Sequence, residues 1–136
     1  MMTYNLANRI LEGMGGRSSM IASAIYLGLS TTAPSRDGTG FTEPSGNNGY
    51  KRVLLGMSGQ NSSQKMGNAS AGGIKNSDTV YFPEATGSWG ICTHYLLFDH
   101  ATTGNLLAYG KLTDNINPVN GTVPLIRVNE LQMTLS

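Results

Sequence analysis

Ile91-Cys-Thr-His-Tyr-Leu-Leu-Phe98 and Asn105-Leu-Leu-Ala-Tyr-Gly-Lys-Leu112, separated by Asp99-His100 and the turn-forming Ala101-Thr-Thr-Gly104, decide how this chain is read. Short apolar runs bounded by residues suited to tight turns are the mark of strands. The same pattern continues on both sides. Downstream, Asn117-Pro-Val-Asn-Gly121 sets off 122–128, and 130–135 closes the chain. Upstream, Ala85-Thr-Gly-Ser88 follows a short run at 79–82, and 50–57 forms another. From Ile21 to Ser30 the residues alternate, with Ala22, Ala24 and Tyr26 on one side and Ile25, Leu27 and Leu29 on the other, as a strand requires. About seven short strands predict an all-β domain, a β-sandwich or jelly-roll-like fold over residues 1–136.

Two stretches break the rhythm. Residues 31–49 hold Pro34, Gly38, Gly40, Pro44, Gly46 and Gly49, and residues 58–78 are rich in Gly, Ser, Asn and Gln. Both are expected to be long loops, and the early strands are expected to cross between sheets. Near the start, Leu6, Ala7, Ile10, Leu11 and Met14 recur at helical spacing. They predict one short amphipathic helix over 3–12, capped by Thr3 or Asn5 and stopped by Gly13, Gly15 and Gly16. So short a helix is marginal alone and must lean on the domain core or on a neighbouring subunit.

Composition agrees. Charged residues are 12 % of the 136, about half the usual share, and 18 glycines accompany abundant Ser, Thr and Asn. Nine basic against eight acidic residues leave a formal charge of +1, too weak a field to expect nucleic acid or an anionic membrane as partner. There is no apolar run of transmembrane length and no signal-peptide pattern, so synthesis and folding in a cytoplasm are expected. A single cysteine, Cys92, forbids an internal disulfide.

Little material for catalysis remains. Cys92 and His94, two apart on a strand, are expected to share a face, as a thiolate–imidazole pair would need, but no third orienting group is evident. Asp99 and His100 complete no metal set, because on an extended strand Asp99 faces away and His100 lies roughly 20 Å from His94. Asp37, Glu43, Asp78 and Asp114 read as turn and solvation residues, without the spacing of a calcium loop. No phosphate-cradling glycine loop and no Gly-x-Ser-x-Gly elbow occur. Trp89, between Gly87-Ser88 and Gly90, reads as a core plug rather than a sugar platform, and Tyr50, Tyr81, Tyr95 and Tyr109 as core or interface residues. Neither catalytic, cofactor-binding nor metal residues are therefore assigned.

Several blocks carry a resemblance. Ile25-Tyr-Leu-Gly-Leu-Ser-Thr-Thr-Ala-Pro34, Asp37-Gly-Thr-Gly40, Thr42-Glu-Pro-Ser-Gly46 and Gly49-Tyr-Lys-Arg-Val53 form the first group. Phe82-Pro-Glu-Ala-Thr-Gly-Ser-Trp-Gly90, Thr93-His-Tyr-Leu-Leu-Phe-Asp99 and Gly104-Asn-Leu-Leu-Ala-Tyr-Gly-Lys-Leu112 form the second. In order and spacing, from about Leu6 to the C-terminus, they resemble small bacteriophage virion proteins commonly labelled tail fibre proteins. Cys92 and His100 depart from that pattern, at positions with no functional role to carry over. The resemblance implies a non-enzymatic virion part without a cofactor, made in the bacterial host cytoplasm. It would act by symmetric assembly as a homo-oligomer with other tail or head proteins. A capsid decoration protein, or a module binding host-surface glycan through the two long loops, are the alternative readings; a hydrolase relying on His94 is a remote third.

Overall fold

A helix and eight strands make up the computed structural model, which describes residues 2–16, 24–57, 65–71 and 73–134. In chain order they are α1 (Tyr4–Met14), β1 (Ala24–Ser30), β2 (Val53–Met57), β3 (Gly73–Lys75), β4 (Val80–Tyr81), β5 (Cys92–Phe98), β6 (Leu106–Ile116), β7 (Leu125–Ile126) and β8 (Gln132–Thr134). The all-β class is as the sequence predicts. An antiparallel sheet in the order β2-β1-β5-β6 is joined by two ribbons, β3 with β8 and β4 with β7.

Alternation along the strands dictates how these pieces stack. Leu27 stands opposite Leu97, and Leu29 opposite Tyr95, so all four point to one face of the sheet. There they cluster with Leu55 of β2, Ala108 of β6, Val80 and Ile126 from the β4–β7 ribbon, and Phe82, Trp89 and Leu131. Sheet and ribbons thus form two layers over one apolar core. Leu96, Phe98 and Leu106 point to the opposite face. They are covered by the loop after β1, whose Phe41 ring meets Phe98 edge-on at 5.4 Å between centroids.

Four details depart from the sequence reading. β1 and β2 do not cross between sheets: they pair as neighbours, and the long connection between them folds back over the second sheet face. The expected loop at 58–78 contains β3, whose Ile74 pairs with Met133 far along the chain; residues 58–64 and 72, and Ile21–Ser23 of the first expected strand, lie outside the described residues. β6 runs to Ile116 rather than Leu112, through polar Thr113, Asp114 and Asn115, because Cys92 supplies a pairing partner there. The helix extends to Met14, because one glycine inside a helix costs only about 1 kcal/mol and the stop falls at Gly15, whose N–H bonds to the Leu11 carbonyl.

Thr3 caps α1 as expected, its hydroxyl oxygen accepting from the Leu6 N–H. The same hydroxyl, 1 % exposed, is shared between the Leu106 and Leu107 carbonyls at 2.7 and 3.0 Å, while the Thr3 N–H also bonds to Leu107. Farther along, Arg9 reaches Asp99 at 2.7 Å. Leu6 packs against the core, yet no helical residue is fully buried. The helix is therefore moored by its first half, while Leu11 and Met14 farther along stand largely in solvent.

Asp99 makes that mooring acid-sensitive. Burial pushes its carboxyl upward, but the Asn105 backbone N–H, Arg9 and the Asn105 amide outweigh it and hold the group below its ordinary 3.8. A carboxylate depressed in the folded state contributes stability above its unfolded value, and that contribution disappears as pH falls through the lower folded value. Protection of the α1 amides, taken relative to the intrinsic exchange rate at each pH, is accordingly expected to fall selectively below about pH 3.8. Asp99→Asn should show fast exchange already at neutral pH; protection in that variant equal to wild type would remove Asp99 from the account.

Candidate functional site

Cys92 and His94 do not share a face. A bulge between them shifts the β5–β6 register, because Cys92 aligns with Ile116 while His94 aligns with Lys111. Cys92 consequently drops into the core beside Tyr95 and Leu97, where burial raises its thiol to about 11. His94 lies across from Ser30 and Lys111 on neighbouring strands, its Nδ1 2.8 Å from the Thr93 hydroxyl. Partial burial first, and the Lys111 charge second, lower its pKa. His100 is exposed in the β5–β6 turn, its Nδ1 accepting from the Thr102 and Thr103 N–H groups. Among the described residues no group of three His, Cys, Asp or Glu side chains could hold a metal ion.

Glu43 is not the solvation residue that its Pro/Gly-rich surroundings suggest. Arg52, with a side chain only 6 % exposed, grips it with two parallel bonds, Nε to Oε2 at 3.0 Å and Nη2 to Oε1 at 2.7 Å. Such a planar fork is specific to arginine. Nη1 donates to the carbonyls of His100 and Thr103, and the guanidinium lies 3.4 Å from the centroid of the Phe98 ring. The Tyr50 hydroxyl donates to Glu43 Oε2 at 2.5 Å and accepts from the Leu29 N–H. Burial above all, then the bond to Glu43, pushes this phenol far above its ordinary value. Gly28 makes room for the arrangement, since a Cβ there would stand 2.6 Å from the Tyr50 oxygen. One ion pair thus ties together the loop after β1, the entrance to β2 and the β5–β6 turn. The cleft of about 430 Å³ beside it, reaching Lys51 and Thr102, offers a ligand little from this latch, because four Arg52 bonds already go to protein acceptors.

Trp89 is the plug its glycine neighbours suggest. It is 4 % exposed, meets Tyr50 edge-on at 5.3 Å and Phe82 at 6.3 Å, and donates from Nε1 to the Asn48 carbonyl at 2.7 Å. Tyr95 is likewise buried, Tyr109 is half-buried, and Tyr81 stands in solvent.

A second cleft, of about 320 Å³, opens between the far half of β6 and residues 122–131. Its apolar floor is Tyr95, Ile126 and Leu131, and its walls carry Asp114, Asn115, Asn117 and Thr122. Composition gave no warning of it: the residues are ordinary turn formers, and only the unexpected extension of β6 brings them together.

The family model of the podophage GP4 fiber I protein gp80 matches residues 1–134, and the chain belongs to that family. It is a phage fibre structural protein, a component of the virion that associates with other virion components. No curated protein matches the chain. Among the described residues no helix is long and apolar enough to cross a membrane.

Proposed function

We propose that this chain is a non-enzymatic, tail-associated fibre or adaptor domain that works by assembling into a homo-oligomer through α1. The observation that carries this reading is the exposure of Leu11 and Met14 on the helix. Leu11 is 65 % and Met14 76 % exposed, on a helix whose other half is fastened by Thr3, Leu6 and Arg9. Two large apolar side chains on one helical face, three residues apart, gain most by burial against another surface. Fixing the first half in advance lowers the ordering cost of docking the second. The low charge of the chain favours close packing of copies, and synthesis in the bacterial host cytoplasm accords with its single buried thiol.

Light scattering coupled to size exclusion tests the assembly. The wild-type protein is expected to run as a multimer, and Leu11→Asp/Met14→Asp as a monomer that stays folded by circular dichroism but melts lower, because it loses the stabilisation that assembly adds. A wild-type monomer at high concentration would overturn the reading. Mass spectrometry of virions separated into heads and tails tests the location. Peptides confined to tails support the proposal, whereas peptides confined to heads favour the capsid-decoration alternative.

A further inference from the structure

We propose that the second half of α1 docks on the outer face of the β4–β7 ribbon of a second copy of this chain, so that copies join head to tail. The proposal rests on the assembly reading above and names the surface that receives the helix. Burial along the ribbon alternates. Val80, Phe82, Pro124 and Ile126 are buried, whereas Tyr81, Pro83 and Val123 are exposed and Leu125 is half-buried. Tyr81 pairs with Leu125, and the ladder continues where the Phe82 N–H bonds to the Pro124 carbonyl, so those last four side chains share the face turned away from the core. Apolar side chains gathered on one surface mark a contact site, while singly scattered ones do not. Here Tyr81 is 61 % and Val123 46 % exposed.

Shape, position and charge select α1 as the occupant. Leu11 and Met14, three residues apart on one side of the helix, have the spacing with which an amphipathic helix meets an apolar surface. Thr3 and Arg9 hold α1 at the Leu106 and Asp99 end of the sheet, while the ribbon lies across the core through Val80 and Ile126. Within one chain the two faces therefore leave each other uncovered. From Ile10 to Gly16 the helix carries one charged side chain, the acidic Glu12, and its last turn has no basic residue to offset the partial negative charge of the final carbonyls. Arg127 supplies the opposite charge. It stands two residues beyond Leu125, and its loose contact with Glu130, at 3.7 Å, leaves its side chain 73 % exposed.

A contact between unlike faces is heterologous, so each copy offers one helix and one ribbon, and repetition closes into a ring or extends as a filament. Pairing of α1 with α1 would bury the helices in dimers and leave every ribbon uncovered. Head-to-tail joining covers both faces in every copy.

The test uses two variants, each with one face spoiled. Tyr81→Asp/Val123→Asp removes the receiving face and Leu11→Asp/Met14→Asp the docking helix; all four positions are exposed, and circular dichroism checks that both proteins fold. Should the acidic pair unfold the ribbon, Tyr81→Ser/Val123→Ser serves in its place. By light scattering each variant is expected to run alone as a monomer. Mixed at high concentration, they are expected to form a dimer of one chain of each kind and nothing larger, because one intact helix meets one intact ribbon. Arg127→Glu, added to the Leu11→Asp/Met14→Asp chain that supplies the ribbon, should weaken that dimer about threefold to fivefold, the worth of an exposed charge contact. A ribbon variant as multimeric as wild type would overturn the proposal while leaving assembly through α1 in place. A mixture that stays monomeric would overturn it as well, and a monomeric wild type would remove both readings.

Discussion

Trp89→Ala is expected to lower stability by about 3 to 5 kcal/mol, the usual loss when a buried aromatic site is emptied, and to leave much of the protein insoluble. Three separate contacts vanish with the indole. The ring is 4 % exposed and touches two other aromatic rings edge-on, Tyr50 and Phe82, so its removal opens a cavity at the point where sheet and ribbon layers meet. Tyr50 is itself part of the Glu43–Arg52 latch, which means that the cavity also loosens the loop after β1. The Nε1 bond to Asn48 is the smaller share, because the Asn48 carbonyl also accepts from the Thr86 N–H and is not orphaned. Trp89→Phe, which keeps a ring and loses that bond, should therefore cost much less, about 1 to 2 kcal/mol. Calorimetry of both variants is the check. A Trp89→Ala protein melting within two degrees of wild type would show that the indole is not what closes this end of the core.

Trp89 was legible because its signal is local: a lone large ring between glycines, entering the most apolar strand. The same holds for β1, where the alternation of Ile25, Leu27 and Leu29 marked the core face, and for α1, where Thr3 stood ready as a cap. What escaped is set by partners distant in sequence. Gly73–Lys75 has one large apolar residue, Ile74, and becomes a strand only because residues 132–134 lie beside it. The bulge between Cys92 and His94 belongs to the β5–β6 pairing, not to either strand alone, so period-two counting put both side chains on the same face. The candidate cleft escaped for a related reason. Asp114 and Asn115 are weak strand formers, and a reading from the apolar run ends the strand at Leu112. Glu43 and Arg52 are nine residues apart across a Pro/Gly-rich loop, a separation at which nothing local marks a pair.

That pair carries the second large effect. Glu43→Ala is expected to cost about 3 kcal/mol, near the lower end of the range for breaking a buried ion pair, because the Glu43 side chain retains 20 % of its exposure while that of Arg52 retains 6 %. The loss is mostly the stranded cation. Arg52 would keep its bonds to the His100 and Thr103 carbonyls and its place against Phe98, but without a counter-charge in a poorly hydrated site. The Tyr50 hydroxyl would lose its acceptor at the same time. Arg52→Lys should be nearly as damaging, since an ammonium cannot hold both Glu43 oxygens and two carbonyls in one plane. Glu43→Ala/Arg52→Met removes both charges and should recover part of the loss, so that the double variant is more stable than the sum of the single changes predicts. Chemical denaturation of the wild type, Glu43→Ala, Arg52→Met and the double variant gives the coupling directly. Hydrogen exchange across 31–49 should rise in the single variants, because the loop lies on the sheet through this latch and through Phe41. Additive single and double losses, or unchanged exchange in that loop, would mean that the fork between Glu43 and Arg52 decorates the fold without holding it.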